Sequence, residues 1–278
     1  MLFTKMHGIG NDYVYINCFN EHVEHPEKLA VWLSDRHKGI GSDGLVLIMP
    51  SNNADFRMRM FNSDGSESEM CGNASRCIGK YVYDNGLTNR TEISLETKAG
   101  IKLLRLFPNN GKVEKVCVDM GEPSLQPSSI PALISEKAIL NYPVNFEPEQ
   151  FEITCVSMGN PHTVIFTENI QEIPLETVGK KIEHFRLFPE RTNVEFVKII
   201  SANKADVRVW ERGTGETLAC GTGACAVLVA GVKTGRLDRI ATIALPGGEL
   251  SIEWNEGNNH VLMTGGAVTV FEGKIDIN

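Results

Sequence analysis

The sequence predicts an α+β (α/β) protein of two similar halves in which strands outnumber helices, and three observations lead there. The first is a repeat: Asn62-Ser63-Asp64-Gly65-Ser66-Glu67-Ser68-Glu69-Met70-Cys71-Gly72-Asn73 is matched by Glu211-Arg212-Gly213-Thr214-Gly215-Glu216-Thr217-Leu218-Ala219-Cys220-Gly221-Thr222. The shift is 220 − 71 = 149 residues, and it also carries Glu67 onto Glu216, Gly86 onto Gly235 and, far upstream, Gly10-Asn11 onto Gly159-Asn160. Such a long-period register indicates a duplicated domain. The second is that Phe56, Met58 and Met60 fall on Ala205, Val207 and Val209, so an apolar alternation of strand type precedes each cysteine. The third is length, since 278 residues accommodate two domains of roughly 140, each able to bury a core.

After Cys71, the residues Ala74, Cys77, Ile78, Tyr81 and Val82 recur at i, i+3, i+4, i+7 and i+8, and Asn85-Gly86 supplies a stop. This predicts one amphipathic helix that begins at the cysteine. After Cys220, residues Ala224 to Val232 are apolar nearly all round and end at Lys233-Thr234-Gly235, which predicts a buried, central helix. Alternation predicts strands over Glu92 to Thr97, Ile101 to Leu106, Val113 to Val118, Ala205 to Val209 and Leu250 to Trp254. Gly121 to Pro131, with three prolines among serines, reads as a linker. The expected domains are therefore 1–119 plus 265–278, carrying Cys71, and 120–264, carrying Cys220, with the last strand (Ala267 to Phe271) returning to the first.

Net charge is −8, which argues against nucleic acid or an anionic membrane as partner and suits a small-molecule substrate. Met1 to Tyr13 lack the basic start and apolar core of a secretory signal, and no apolar run reaches the ~18 residues of a membrane span. Seven cysteines, an odd number scattered over a long chain, do not form a disulfide framework, so a cytoplasmic location is expected.

The chemistry is expected where the two helices begin. The first amides of a helix have no intrahelical partner and carry partial positive charge, so they favour a carboxylate or a thiolate. Gly72-Asn73 and Gly221-Thr222 offer such donors, and the glycine after each cysteine permits close approach of a ligand. A helix N-terminus lowers a thiol pKa from about 8.5, whereas apolar burial raises it. Two sulfurs poised between these influences can share one proton: a thiolate removes an α-proton from one face of a substrate and a thiol returns one to the other, without a cofactor.

These segments resemble the diaminopimelate epimerase family along essentially the whole chain: Lys5 to Asp12, Arg36 to Gly41, Phe61 to Gly65, Cys71-Gly72-Asn73, Met158 to His162, Thr192-Asn193-Val194, Glu211-Arg212-Gly213 and Ala219 to Cys225. The resemblance implies pyridoxal-independent interconversion of LL- and meso-diaminopimelate, in lysine and peptidoglycan precursor synthesis. It implies Cys71 and Cys220 as the acid/base pair, supported by His162 and Glu211. Asn11, Asn62, Gly72, Asn73, Asn160, Asn193, Glu211, Arg212, Gly221 and Thr222 would bind the substrate, and no metal is implied. That set suits an aminated dicarboxylate, which needs a guanidinium, a carboxylate and orienting amides. The implied fold is two halves, each a strand-rich barrel around a helix, with the site in the cleft between them. Family members often form homodimers, and Phe271 is the interface candidate. The sequence departs from the family at Gly44, where some members carry glutamine, at Ala74, and at Gly265-Gly266-Ala267, which lacks a common proline.

The plainer readings differ by residue. Cys18, Cys77, Cys117, Cys155 and Cys225 read as small core hydrophobes. Zinc at Cys71 or Cys220 lacks further ligands at suitable spacing, while a reversible disulfide between the two stays open. Asn11 and Asn160 could be turn residues, His162 a loop histidine, and Glu211 and Arg212 a surface pair. Adjacent strand residues face opposite sides, so Glu211 and Arg212 reach one site only if the backbone turns there, as Gly213 permits. Competing functions are a proline or hydroxyproline racemase, and a non-catalytic amino-acid binder or thiol redox sensor on the same scaffold.

Overall fold

The computed structural model describes residues 1–146 and 150–276. The chain divides into two compact units, one formed by Met1–Asp119 with the residues from Thr264 on, the other by Met120–Met263.

The first unit opens with β1 (Leu2–Gly8) and β2 (Asn11–Asn17), an antiparallel hairpin turned at Ile9-Gly10, where Gly10 has φ 88°. After α1 (Pro26–Ser34), β3 (Gly44–Met49) lies parallel to β2 and β4 (Phe56–Asn62) antiparallel to β3. The short β5 (Glu67–Ser68) folds back on β4 and leads into α2 (Gly72–Asp84). Then β6 (Glu92–Thr97) pairs parallel with β4, followed by the antiparallel β7 (Gly100–Asn109) and β8 (Lys112–Asp119). The last strand of the chain, Val268–Lys274, lies antiparallel on β1.

Two helices close this core. Leu29, Ala30 and Leu33 of α1 join a cluster with Val14, Ile16, Leu45, Leu47 and Phe61. Ala74, Cys77, Ile78 and Val82 of α2 are wholly buried, on the face that the periodicity predicts. The helix ends at Asn85, whose amide donates to the carbonyl of Tyr81, and Gly86 follows at φ 70°.

The second unit repeats the plan. After β9 (Tyr142–Asn145) and β10 (Gln150–Ser157) come β11 (Pro161–Phe166), α3 (Leu175–Glu183), β12 (Asn193–Ser201), β13 (Lys204–Glu211), β14 (Gly215–Thr217), α4 (Gly221–Lys233), β15 (Ile240–Leu245) and β16 (Gly248–Trp254). β11 and β12 are parallel, as are β13 and β15, and the other neighbours are antiparallel. The 149-residue shift holds for helices that the sequence did not announce: 26 + 149 = 175 and 34 + 149 = 183 carry α1 onto α3. It carries α2 onto α4 end to end, 72 to 221 and 84 to 233. β9 takes against β10 the place that the last strand takes against β1.

Residues Ala224 to Ala230 of α4 are all fully buried, as the all-round apolar sequence requires. Each enclosed Val or Leu there contributes about 1.5–3 kcal/mol. Both unit folds are therefore strand-rich sheets packed on a helix that starts at a cysteine.

The stretch read as a linker is docked rather than free. Ser124 and Ser157 exchange backbone hydrogen bonds at 2.9 and 2.8 Å, Pro127–Ser129 forms a 3-10 turn, and Ile130 is fully buried beside Phe146 and Phe196. The prolines set its local shape, but one large apolar side chain suffices to anchor it. Among the described residues no helix is long and apolar enough to cross a membrane, and no group of three or more potential metal-ligating side chains occurs.

Candidate active site

In the first unit Cys71 caps α2. Its backbone is extended (φ −139°, ψ 121°) and its sulfur accepts the amide of Ala74 at 3.5 Å. That contact satisfies the third helical amide, so the helix ladder leaves the amides of Gly72 and Asn73 for other acceptors. Cys71 Sγ lies 3.6 Å from Asn11 Oδ1, which also accepts from Asn73 Nδ2 at 3.1 Å. Arg76, one turn on and fully buried, donates to Asn73 Oδ1 at 2.9 Å and to the carbonyl of Gly266 at 3.2 Å. The β1–β2 turn and the start of α2 thus meet through two amide side chains, Asn11 and Asn73, the second held by the Arg76 guanidinium.

Asn11 is held from behind. Its Nδ2 donates to Asp43 Oδ2 at 2.8 Å, and Asp43 also accepts the amide of Asp12 at 3.0 Å. Arg36 bridges Asp12 and Asp43 at 3.0 Å each, and Lys5 pairs with Asp12. Burial pushes Asp12 up, but the hydrogen bonds from Lys5 and Arg36 outweigh it and leave its carboxyl below the usual range. At Asp43 burial dominates, reinforced by the charge of Asp12, and its carboxyl is raised. Asn62, at the end of β4, donates to Ser66 Oγ at 3.0 Å. Gly44 lies at the start of β3, where a Cβ would stand 2.0 Å from the carbonyl oxygen of Phe61. A larger side chain cannot be accommodated there on this backbone, and position 44 supplies no side-chain contact.

In the second unit Cys220 caps α4 in the same way, with φ −119°, ψ 108° and the amide of Gly223 donating to Sγ at 3.4 Å. Its sulfur lies 3.6 Å from the hydroxyl of Thr222, which accepts Asn160 Nδ2 at 3.3 Å. Asn160 follows Gly159, at φ 92°, just as Asn11 follows Gly10. His162 Nε2 lies 3.0 Å from Asn160 Oδ1, and His162 Nδ1 lies 2.6 Å from Glu195 Oε1. The helix start alone predicts a lowered thiol pKa at Cys220. Burial pushes it well above the ordinary value instead, helped by the charges of Glu211 and Glu195 and opposed by the Thr222 hydroxyl and the Gly223 amide.

Glu211 ends β13 and accepts the Thr217 hydroxyl. The backbone then turns, with Gly213 at φ 77°, so Arg212 does not continue the strand alternation. The amide of Arg212 donates to Asn193 Oδ1 at 2.9 Å and its guanidinium to the carbonyl of Glu190 at 3.0 Å. Asn193 Nδ2 donates to the carbonyl of Pro161 at 2.8 Å, joining the starts of β11 and β12. The first unit therefore gathers Cys71, Gly72, Asn73 and Asn11, and the second gathers Cys220, Gly221, Thr222, Asn160 and His162 around one helix start, with Asn193, Glu211 and Arg212 about the turn after β13. Asn62 stands at the corresponding turn of the first unit.

The sequence model of the family described as diaminopimelate epimerase matches residues 3–126 and 154–270. The chain belongs to that family. A diaminopimelate epimerase of Acetivibrio thermocellus is 61% identical over 278 residues, covering all of this chain and 99% of that protein. One from Methanococcus maripaludis is 56% identical over 277 residues and covers both chains in full. Among solved structures, a phenazine biosynthesis protein of Bacillus anthracis superposes with a TM-score of 0.72 at 16% identity, covering 100% of this chain and 99% of that one. A hydroxyproline epimerase of Agrobacterium vitis gives 0.67 at 16% identity, covering 98% and 91%. These structures share the fold with the diaminopimelate epimerase family.

Three residues beside the family's cysteines escaped the reading of the sequence. Arg76 falls between apolar helix positions and looks like an ordinary charged residue, although its burial shows otherwise. Asp43 sits in a loop with no periodicity to mark it. Glu195 did carry a signal: in Asn193-Val194-Glu195-Phe196-Val197 it is the lone charge in an apolar strand, on the same face as Asn193.

Proposed function

We propose that this chain inverts one α-carbon of LL-2,6-diaminopimelate to give meso-diaminopimelate, with Cys71 and Cys220 as the two bases on opposite faces of that carbon. Membership of the diaminopimelate epimerase family makes the chain an isomerase of this substrate class. The observation that carries the mechanism is the matched pair of N-cap cysteines at helix starts, Cys71 with Asn11 beside it and Cys220 linked to Asn160 through Thr222.

The thiolate form of one cysteine takes the α-proton while the thiol form of the other delivers a proton to the opposite face. As the proton leaves, negative charge builds on the α-carboxylate. The amides of Gly72 and Asn73, and of Gly221 and Thr222, stabilise that charge where it develops. Glu211 pairs with the α-ammonium, and His162 supports the reacting centre through Asn160. Asn11 and Asn160 orient the substrate. Asn62, Asn193 and the Arg212 guanidinium, at positions where the two halves differ, recognise the end that does not react. The scheme uses no cofactor, since both proton positions are thiols, and it fits a cytosolic role in lysine and peptidoglycan precursor supply.

The test is to incubate the protein in D₂O with LL-diaminopimelate, L-proline or trans-4-hydroxy-L-proline and to follow α-deuterium by mass spectrometry. The proposal expects exchange and epimerisation of diaminopimelate alone. Exchange confined to proline or hydroxyproline would assign the other racemase reaction. Absence of exchange with all three would leave a binder or redox protein.

A further inference from the structure

The second unit encloses an ionisable pair, His162 and Glu195, of which the proposed reaction uses only the histidine. The side chains of His162 and Glu195 have no exposed surface, and their closest atoms are 2.6 Å apart. Glu195 Oε2 is buried with no hydrogen-bond partner among the described residues. Glu195 lies on β12 beneath the first turn of α4, so close that a Cβ at Gly223 would stand 2.8 Å from Oε1 and 3.2 Å from Cys220 Sγ. Burying a net charge with an unpartnered oxygen is costly, and a pair of zero net charge avoids most of that cost. Zero net charge means that the pair holds two protons; one lies between Nδ1 and Oε1, and the other is placed on Nε2, which has Asn160 Oδ1 at 3.0 Å to receive it, rather than on Oε2, which has no acceptor among the described residues.

The proton on Nε2 sets the direction of every bond that follows. His162 Nε2 donates to Asn160 Oδ1 at 3.0 Å, which turns Asn160 Nδ2 toward the Thr222 oxygen at 3.3 Å. The Thr222 hydroxyl, having accepted, donates its own proton toward Cys220 Sγ at 3.6 Å. Had the pair held a single proton on Nδ1, Nε2 would accept, the Asn160 amide would reverse, and Thr222 would face the sulfur with lone pairs.

We infer that Glu195 is a positioning residue that keeps the proton on His162 Nε2, so that a directed chain through Asn160 and Thr222 ends on a donor to Cys220. The inference rests on the reading of Cys220 as an acid/base group. The chain supplies the sulfur with a donor against the burial and the Glu211 and Glu195 carboxylates that disfavour its thiolate. The asymmetry is particular to this half, because the shift places Tyr13 opposite His162 (13 + 149 = 162) and Val46 opposite Glu195 (46 + 149 = 195).

The decisive measurement is imidazole ¹⁵N NMR of the wild-type protein near neutral pH, with the His162 signals identified by their loss in His162→Gln. The expected result is a protonated Nε2. A bare Nε2 with the proton on Nδ1 overturns the inference, and this readout needs no substrate. Glu195→Gln can donate its amide to Nδ1 and is expected to keep the Nε2 proton and kcat within about twofold. Glu195→Leu leaves Nδ1 unpartnered and is expected to lower kcat about tenfold with KM little changed, the size of one hydrogen bond. Equal loss in Glu195→Gln and Glu195→Leu would overturn the inference in favour of a plain charge effect. If diaminopimelate exchange fails while Nε2 is protonated, the proposed reaction falls and the directed chain stands.

Discussion

Asn11 Nδ2 donates to Asp43 Oδ2 at 2.8 Å, and that bond decides which end of the Asn11 amide faces Cys71. With Nδ2 occupied, Oδ1 turns to the Asn73 side chain and to the sulfur. Asp43→Leu is expected to lower kcat/KM about tenfold to a hundredfold, the effect of losing a hydrogen bond to a charged group. Asp43→Asn, whose Oδ1 can still accept, should retain most activity. Steady-state kinetics with LL-diaminopimelate, alongside circular dichroism to verify folding, compares the two.

Each cysteine is required in either direction of a two-base reaction. Cys71→Ala and Cys220→Ala are each expected to reduce kcat at least about a hundredfold to ten-thousandfold, the range for general acid–base groups. Cys225→Ala, further along α4, should keep the chemistry, and near-normal turnover by either of the first two variants would remove that cysteine from the mechanism.

Gly44 marks a place where the backbone leaves no room for a side chain. A Cβ there meets the Phe61 carbonyl at 2.0 Å and Tyr13 Cε1 at 3.0 Å. Gly44→Ala is expected to cost about 1–3 kcal/mol through overpacking, read as a lower urea midpoint. An unchanged midpoint would show that β3 shifts freely.

Cys155 is fully buried and its thiol is pushed up to about 12, chiefly by burial and in part by the charge of Glu195, against the hydroxyl of Thr163. The unfolded value is about 8.5. The folded state therefore holds the proton where the unfolded state has lost it. This contribution to stability is intact below pH about 8.5 and is lost as pH rises from there toward about 12. Cys155→Ala should flatten the alkaline fall in unfolding free energy by about 1.4 kcal/mol per pH unit across that window, as measured by urea titrations at several pH values.

Much of this was legible in the sequence because the duplication repeats both fold and chemistry. The helix after Cys71 could be read from Ala74, Cys77, Ile78 and Val82, and the helix after Cys220 from its unbroken apolar run. Both cysteines do cap their helices, with Asn11 beside Cys71 and Asn160 linked to Cys220 through Thr222. What was not legible depends on tertiary enclosure. α1 and α3 are short, and only the shared register reveals them as equivalents. Asp43 and Glu195 act on Asn11 and His162 from positions distant in sequence, Arg76 ties its helix neighbour Asn73 to the remote Gly266, and no local pattern states that a guanidinium or a carboxylate will be sealed off from water. The same enclosure reverses the direction of the Cys220 pKa, because burial and two carboxylates outweigh the helix start.

Two thiols that act on opposite faces of one carbon leave an isotopic record, which is read by stopping the reaction with LL-diaminopimelate in D₂O at low conversion and analysing product and recovered substrate separately. The expected result is deuterium at the inverted carbon of the meso product, delivered by the solvent-equilibrated thiol, and protium retained in the recovered LL substrate. Product that retains the substrate's own proton at the inverted carbon would contradict it, because a single base would then have carried that proton from one face to the other.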